Sequence, residues 1–334
     1  MDGPPRPPNR SNVRTCPPTR GNRKRLWLYR FVVSTGIVFI GRYRLINPVY
    51  MGATTQLWQG IFDGTGEQFA VKFLQEKFRK DRAQIGYLKW EYRVGSQFHD
   101  EHLIRVVEFG THRGIPFLAM EWFAGSNMKV LIRQGIDAYA HLAKRIIFQA
   151  VEAVAYLHRQ GYVHRDIKPE NFLVGQSGEV KLIDFALCRR ISNPLVWLLS
   201  PKTKIQGTCS YISPEQIQNR RLDGRADLYS LACTIYELLS GRPPFTGINQ
   251  AELLNRHLKA AAPPIESINS NITPQFSQLL QKALAKRPAD RFQSVAEFYG
   301  LLHDVEIFKE RPAGEVPPII LPGAQGWRQD TPAR

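Results

Sequence analysis

The chain has 334 residues, of which 43% are hydrophobic and 22% are charged, fractions that are ordinary for a soluble globular protein with a substantial core. Its formal net charge of +16 is unusual, but ten Lys and Arg against the single acidic residue Asp2 lie within residues 1–44, so the excess belongs largely to one end. The four cysteines show neither paired nor metal-like spacing, which excludes a zinc site and favours a reducing, cytoplasmic setting.

Residues 1–25 are rich in Pro, Arg and Asn, a composition that predicts disorder. The apolar run over residues 26–40 is shorter than the about 20 residues of a spanning helix, contains Arg30 and is rich in β-branched residues. We therefore predict that residues 1–41 form a basic, Pro-rich leader with little stable order. Three alternatives stay open: membrane association through residues 26–40, which we do not favour; a leader missing from the mature protein; and weak contact of the leader with anionic surfaces. The leader lacks the interleaved aromatics of a stacking platform, so we expect no specific nucleic-acid partner.

Short strands with one helical interruption are predicted from Arg42 to Trp122. Two apolar segments at 57–62 and 68–74 flank an Asp63-Gly64 turn and indicate a hairpin. The remaining elements of this region are a helix at 83–98 and strands near 103–109 and 116–121.

From Lys129 onward helical patterns dominate. They lie at about 138–160, 223–240, 249–258, 274–285 and 293–304, with Pro-rich turns between some of them. Residues 311–334 hold five prolines and no apolar period, so we expect a flexible tail over 306–334. A strand-rich region is thus followed by a helical one.

The strongest pattern in the chain is the run His-Arg-Asp-Ile-Lys-Pro-Glu-Asn at residues 164–171. Asp184-Phe185 follows thirteen residues after Asn171, and Ala70-Val71-Lys72 lies far upstream in an apolar segment. This order and spacing resemble the protein kinase family, in particular its Hanks-type serine/threonine branch. The run Ser213-Pro214-Glu215-Gln216 is most similar to bacterial members of that family.

The resemblance covers residues 42–304. It implies an α+β, bilobal kinase fold, with a small β-rich N-lobe at 42–123 and a larger α-helical C-lobe at 124–305. It also implies that the chain moves the γ-phosphate of Mg·ATP to Ser or Thr hydroxyls of protein substrates and autophosphorylates. Such chemistry needs alignment and charge neutralisation more than covalent help from the protein.

Four residues of the resemblance would carry the transfer. Asp166 matches the family's catalytic base, and Lys168 would place a positive charge near the moving phosphate. Asn171 and Asp184 match the two positions that hold Mg²⁺, or alternatively Mn²⁺, because these cations prefer oxygen ligands.

The nucleotide would be held by further residues of the N-lobe and the hinge. Lys72 matches the lysine that grips the inner phosphates, with Glu91 on the following helix as its partner. The other implied contacts are Gly52 under the phosphates, Ala70 and Leu173 on the adenine faces, Met120 as gate, and Glu121 and Phe123 in the hinge.

The resemblance also assigns scaffold and regulatory positions. Glu215 would pair with Arg291, Asp227 would anchor the 164–171 loop, and Thr208 would brace Asp166. Arg165 could receive a phosphate on the activation segment, with Thr203 as the leading acceptor and Ser200 behind it.

Three features, at four positions, depart from the family pattern. Only the middle glycine, Gly52, remains in the phosphate-covering loop, since Tyr50 and Thr55 occupy the flanking positions; this predicts weaker nucleotide binding. Ala186 replaces a glycine, which would cost about 1 kcal/mol if the backbone there had positive φ. Gly95 stands where a large apolar residue is usual, and we expect a looser link to Phe185. A catalytically weak, pseudokinase-like nucleotide-binding or scaffold protein is therefore the alternative to an active kinase.

Overall fold

The structure is a computed structural model that describes residues 38–191 and 209–312. The chain divides into two units, Met1–Phe39 and Ile40–Arg334, and the fold is that of the second. None of the helices within the described ranges combines the length and the hydropathy of a membrane-crossing helix.

A six-stranded sheet forms the N-lobe, with strand order β1-β2-β3-β4-β6-β5. The pairs β2–β3, β3–β4, β4–β6 and β6–β5 are antiparallel. Its strands are β1 (Phe39–Ile40), β2 (Tyr43–Met51), β3 (Thr55–Phe62), β4 (Gln68–Leu74), β5 (Val106–His112) and β6 (Ile115–Glu121). The antiparallel register of β3 and β4 confirms the predicted hairpin. Gly64 and Gly66 supply positive φ angles in its turn. Tyr43 packs edge-on against Phe62, Phe69 and Phe117 on the buried face.

One helix, α1 (Arg82–Gly95), crosses the N-lobe between β4 and β5. It begins where the Asp81 side chain accepts hydrogen bonds from the amides of Ala83 and Gln84, as expected of an N-cap. The helix ends three residues before the predicted boundary at 98.

Helices dominate the C-lobe. They are α2 (Met128–Arg133), α3 (Ala140–Arg159), α4 (Pro214–Ile217), α5 (Gly224–Ser240), α6 (Gln250–Lys259), α7 (Pro274–Ala283) and α8 (Val295–His303). Helix α5 is the centre of this lobe, since every residue from Ala226 to Leu239 is buried. The five predicted helices are confirmed to within a few residues, and so is the α+β, two-lobed architecture.

Short elements surround the region where the lobes meet. A three-stranded sheet pairs β7 (Ser126–Asn127), β9 (Phe172–Val174) and β10 (Val180–Leu182), while β8 (Tyr162–Val163) pairs with β11 (Arg189–Arg190). The 3-10 helices Pro169–Asn171 and Phe185–Leu187 carry two of the sequence motifs. Leu103 bridges to Leu182, which joins the segment after α1 to the C-lobe.

The packed region extends beyond residue 305, the domain boundary proposed from the sequence. Ile307 is 1% exposed, and its carbonyl accepts the amide of Thr273 at 3.0 Å. Lys309 N donates to the carbonyl of Asn271 at 2.7 Å, so residues 306–310 pair with the segment before α7. The apolar Ile307-Phe308 pair is the physical reason for this ordered extension.

Candidate active site

The loop over residues 164–171 is attached to Asp227, a carboxylate on α5 that is 1% exposed. Asp227 accepts the backbone N–H groups of His164 at 2.7 Å and Arg165 at 2.8 Å, and His158 Nε2 lies 2.9 Å away. Burial by itself would raise the pKa of Asp227, but the hydrogen bonds and charges of its partners, His158 first, hold this pKa below its ordinary value. These bonds hold Arg165 at φ 72°, a left-handed conformation that is strained for a residue other than glycine.

Three predicted functional residues converge on this loop. Lys168 Nζ lies 2.7 Å from Oδ2 of Asp166. The Asn171 amide donates to the Asp166 carbonyl at 2.7 Å and to Oδ2 at 3.2 Å. Asn171 therefore presents its side-chain NH₂ group to Asp166 and keeps its amide oxygen as an acceptor.

A second group of charges lies on the N-lobe side. Lys72 on β4 forms an ion pair with Glu91 of α1 at 2.8 Å, and its Nζ lies 3.7 Å from Oδ1 of Asp184. Burial raises the pKa of Glu91 to about 7, against the opposing charge of Lys72. Burial lowers the pKa of Lys72, but Asp184 and Glu91 outweigh it and hold this pKa above its ordinary value. The pairing of Lys72 with Glu91 predicted from the sequence is therefore present.

Asp184 connects the two groups. Its backbone has φ 68°, and its Oδ1 accepts the amide of Ala186 at 3.4 Å. Burial would raise its pKa, but the charges of Lys72 and Lys168 outweigh burial and lower it. One charge from each lobe thus acts on the same carboxylate.

A cavity of about 320 Å³ lies between the sheet, α1 and the segment after β10. Among the predicted nucleotide contacts its lining includes Gly52, Lys72, Glu91, Met120 and Asp184. The cavity extends toward α1 and the segment after Asp184, where Gln84, Tyr87 and Leu187 contribute to its wall.

Four other predicted contacts are not part of that lining. Ala70 and Leu173 are 0% exposed and belong to the buried hydrophobic core. Glu121 accepts the amide of Arg105 at 2.9 Å and pairs with Lys181 at 2.7 Å, and Phe123 is half-buried. In this conformation Ala70 and Leu173 present no exposed surface to an adenine.

Tyr50, near the end of β2, packs against the loop between β2 and β3. The ring of Tyr50 lies over Gly52, so close that a Cβ on Gly52 would meet its Cε1 at 2.8 Å. Gly52 N donates to the Thr55 carbonyl at 2.9 Å, and the Gln75 side chain donates to the Gly52 carbonyl. A glycine at the middle position is therefore required by Tyr50 itself.

The two other departures from the family pattern have different outcomes. In the described ranges, positive φ angles outside glycine occur at Arg113, Arg165, Asp184 and Asn219, so the cost expected at Ala186 does not arise. The prediction that Gly95 loosens the contact between α1 and Phe185 is wrong. A Cβ on Gly95 would lie 2.8 Å from Phe185 Cδ2, because the Phe185 ring occupies the space that a larger side chain would fill.

The contacts predicted for Glu215 with Arg291 and for Asp227 with the 164–171 loop are present. Arg291 donates to both oxygens of Glu215, at 2.7 and 2.9 Å, and both side chains are buried. Thr208, Thr203 and Ser200 lie outside the described residues. The sequence analysis missed His158 and Gln216, whose side chain donates to the Arg165 carbonyl at 3.0 Å. No local pattern could have found them, since their partners lie 69 and 51 residues away in the chain.

Comparison with known proteins agrees with this geometry. Residues 43–299 match the family model described as protein kinase domain. The serine/threonine-protein kinase PknL of Mycobacterium tuberculosis is 30% identical over 288 residues, which cover 86% of this chain and 70% of that protein. A probable serine/threonine-protein kinase of Clostridium perfringens is 28% identical over 83% of this chain and 40% of its own length. PknB of Mycolicibacterium smegmatis is 30% identical over 68% of this chain and 37% of its own length.

A match over residues 43–299 covers more than half of the chain, and the paired Lys72–Glu91 and Asp166–Lys168 charges occupy the expected places within it. The chain belongs to the protein kinase family, as a bacterial Hanks-type serine/threonine kinase.

Proposed function

We propose that the chain transfers the γ-phosphoryl group of Mg·ATP to serine or threonine hydroxyls of protein substrates, itself included. The observation that carries this proposal is the meeting of two charge groups at Asp184. Lys72 and Glu91 approach from the N-lobe, while Lys168, paired with Asp166, acts on Asp184 from the C-lobe. Phosphoryl transfer depends on such preorganised charge around the reacting group.

Asp166 would orient the attacking hydroxyl and accept its proton. Its Oδ2 is held by Lys168 and Asn171, which fixes the orientation of the carboxylate. Lys168 would then be available to the transferred phosphate as a compact positive charge, and Lys72 would hold the inner phosphates from the opposite wall.

The donor set suits a hard divalent cation. Asp184 supplies carboxylate oxygens, and Asn171 supplies an amide oxygen while its NH₂ group donates to Asp166. Mg²⁺ is usually held by one or two protein oxygens and completed by phosphate oxygens and water, and Mn²⁺ accepts the same ligands. In the described ranges no three His, Cys, Asp or Glu side chains cluster as an all-protein metal site. When bound, the cation would neutralise charge on the phosphates.

The adenine would contact Ala70, Leu173 and Met120 and the backbone of Glu121 and Phe123. Because Ala70 and Leu173 are 0% exposed, we expect the side chains that cover them to move before the base can enter. We propose a cytoplasmic location, where ATP is supplied, and only a weak contact of the basic leader with anionic surfaces.

A labelling experiment tests this function. The full chain is incubated with [γ-³²P]ATP and a generic acceptor protein, with either Mg²⁺ or EDTA, and the labelled amino acid is identified after acid hydrolysis. We expect metal-dependent phosphoserine or phosphothreonine on both the acceptor and the chain. Lys72→Met should remove the label, whereas Lys144→Met, a change at an exposed lysine paired with Glu306, should not.

The alternative is a pseudokinase-like nucleotide-binding or scaffold protein with weak or no transfer activity, and the full burial of Ala70 and Leu173 is the observation that favours it. Label on the wild-type chain that equals label on Lys72→Met would support this alternative and refute an active kinase.

A further inference from the structure

A glutamine outside the loop between β2 and β3 holds that loop at two points. The side chain of Gln75, directly after β4, donates to the carbonyl of Gly52, and the backbone N–H of Gln75 donates to the carbonyl of Thr54 at 2.8 Å. Gly52 N in turn donates to the carbonyl of Thr55 at 2.9 Å, which closes the loop on itself. The conformation of the loop therefore depends on a residue that follows the neighbouring strand.

The connection between β4 and α1 holds Gln75 in its place. Gln75 is half-buried, and its carbonyl accepts the amide of Phe78 at 2.8 Å in a short 3-10 helix. The carbonyl of Phe78 then accepts the amide of Asp81, the N-cap of α1, at 3.0 Å. A continuous series of hydrogen bonds thus links the loop to the first turn of α1.

The same loop forms part of the cavity in which the phosphates of Mg·ATP would be held. Gly52, Ala53 and Thr54 line this cavity together with Lys72 and Asp184. Each peptide unit carries a partial positive charge on its N–H group and a partial negative charge on its carbonyl. An anion is attracted by the first and repelled by the second, so the orientation of the peptide units decides whether the loop attracts phosphate.

The side-chain hydrogen bond of Gln75 fixes the orientation of one of these peptide units. The carbonyl of Gly52 and the N–H of Ala53 belong to the same trans peptide unit, so they point in opposite directions. Because Gln75 holds the carbonyl, the N–H of Ala53 is directed to the other side. Within the described ranges this N–H donates to no other residue. The loop therefore offers an unused donor in the wall of the cavity.

We propose that Gln75 is a positioning residue for the triphosphate: it holds the carbonyl of Gly52 so that the N–H of Ala53 faces the phosphates of bound Mg·ATP. This inference rests on the proposed use of Mg·ATP. Gln75 is not part of the lining of the cavity, so its effect would reach the nucleotide through the loop. Replacing a purely structural Gln75 would weaken every ligand of the cavity alike, whereas replacing a positioning residue weakens the triphosphate and not the nucleoside.

The test compares the Kd values of the full chain for Mg·ATP and for adenosine, measured by calorimetric titration. Gln75→Met keeps a side chain of similar length that cannot donate. We expect its Kd for Mg·ATP to rise about five- to tenfold and its Kd for adenosine to stay within about twofold of wild type. Gln75→Glu places a charged acceptor where the donor was and should raise the Kd for Mg·ATP by about tenfold or more. In the transfer assay of Gln75→Met, the KM for ATP should rise by the same factor as the Kd, with kcat within about twofold of wild type.

Gln68→Met is the matched control, because Gln68 lies at the other end of β4, where it accepts the side chain of Gln59 at 3.0 Å, and is not part of the cavity lining. Both of its Kd values should equal those of wild type. A Gln75→Met protein that binds Mg·ATP as tightly as wild type, or that loses affinity for Mg·ATP and adenosine by the same factor, would overturn the inference alone. If Gln75→Met does not fold, the same two Kd values of Gln75→Glu decide. A wild-type chain that binds Mg·ATP but transfers no phosphate would refute the proposed transfer and leave this inference to the binding data, and a chain that binds no Mg·ATP would overturn both.

Discussion

A Cβ atom on Gly95 of α1 would lie 2.5 Å from Cγ2 of Val106 on β5, closer than nonbonded carbons approach. Phe185 fills the same space from the C-lobe, and its ring packs edge-on against Phe98 at 5.3 Å. The absent side chain at position 95 therefore brings α1, β5 and the segment after Asp184 together. The sequence suggested a loosened helix, and the packing shows a tightened one.

Substitution of Gly95 should therefore harm the protein. We expect Gly95→Ala to lower the free energy of unfolding by about 1–3 kcal/mol through overpacking, and Gly95→Leu to lower activity as well. Gly86→Ala is the control on the same helix, because a Cβ there meets nothing within 4 Å; it should raise stability by up to about 1 kcal/mol. Urea denaturation measures both changes. An active, more stable Gly95→Leu would show that the packing described here is wrong.

The Glu215–Arg291 pair predicts a large loss of stability when one partner is removed. Arg291 is 2% exposed and binds both carboxylate oxygens of Glu215. Arg291→Ala would leave that carboxylate buried and unpaired, at a cost of about 3–5 kcal/mol. Arg287→Ala removes an exposed arginine four residues earlier and should cost less than about 0.5 kcal/mol. Equal denaturation midpoints for the two variants would contradict the buried pair.

The position of Tyr50 predicts that its replacement will raise the affinity for nucleotide. Its ring lies over Gly52 and lines the cavity, so Tyr50→Gly should free the backbone amides of the loop for phosphate and lower the Kd for Mg·ATP several-fold. Met51→Gly is the control, because it adds the same backbone freedom one residue later. The Met51 side chain is 39% exposed, so its removal should not tighten nucleotide binding. Calorimetric titration compares the two. Equal affinities would mean that Tyr50 does not obstruct the loop.

His257 predicts a specific dependence of stability on pH. Burial, with the charge of Lys286, lowers the pKa of His257 from 6.5 to about 4, and Tyr229 OH lies 3.0 Å from its Nδ1. The unfolded chain therefore binds this proton more readily than the folded one. Stability should fall as pH drops through about 6.5 and level off below about 4, by about 3 kcal/mol in all.

Comparing the pH dependence of stability in two histidine variants isolates the contribution of His257. His257→Gln should flatten the profile between pH 4 and 6.5, while His99→Gln, at an exposed histidine, should leave it unchanged. A slope in His257→Gln equal to that of wild type would assign the acid sensitivity to other groups.

The sequence predicted those parts of the molecule whose signal is local. The long helices have apolar faces that extend over several turns, and Lys72, Asp166, Asn171 and Asp184 belong to short motifs of fixed spacing. Helices α2 and α4, of six and four residues, were missed because the helical period is not visible over so short a span. The complete burial of Ala70 and Leu173 was missed for another reason: it depends on partners brought together only by the fold.

The most direct test of the central claim is the single-turnover rate of phosphate transfer in Asp166→Asn, measured at saturating Mg·ATP beside wild type. The amide keeps the shape of Asp166 but cannot accept the proton, so we predict a fall of about 10²–10⁴ with an unchanged Kd for nucleotide. A transfer rate in Asp166→Asn within a few-fold of wild type would contradict the account.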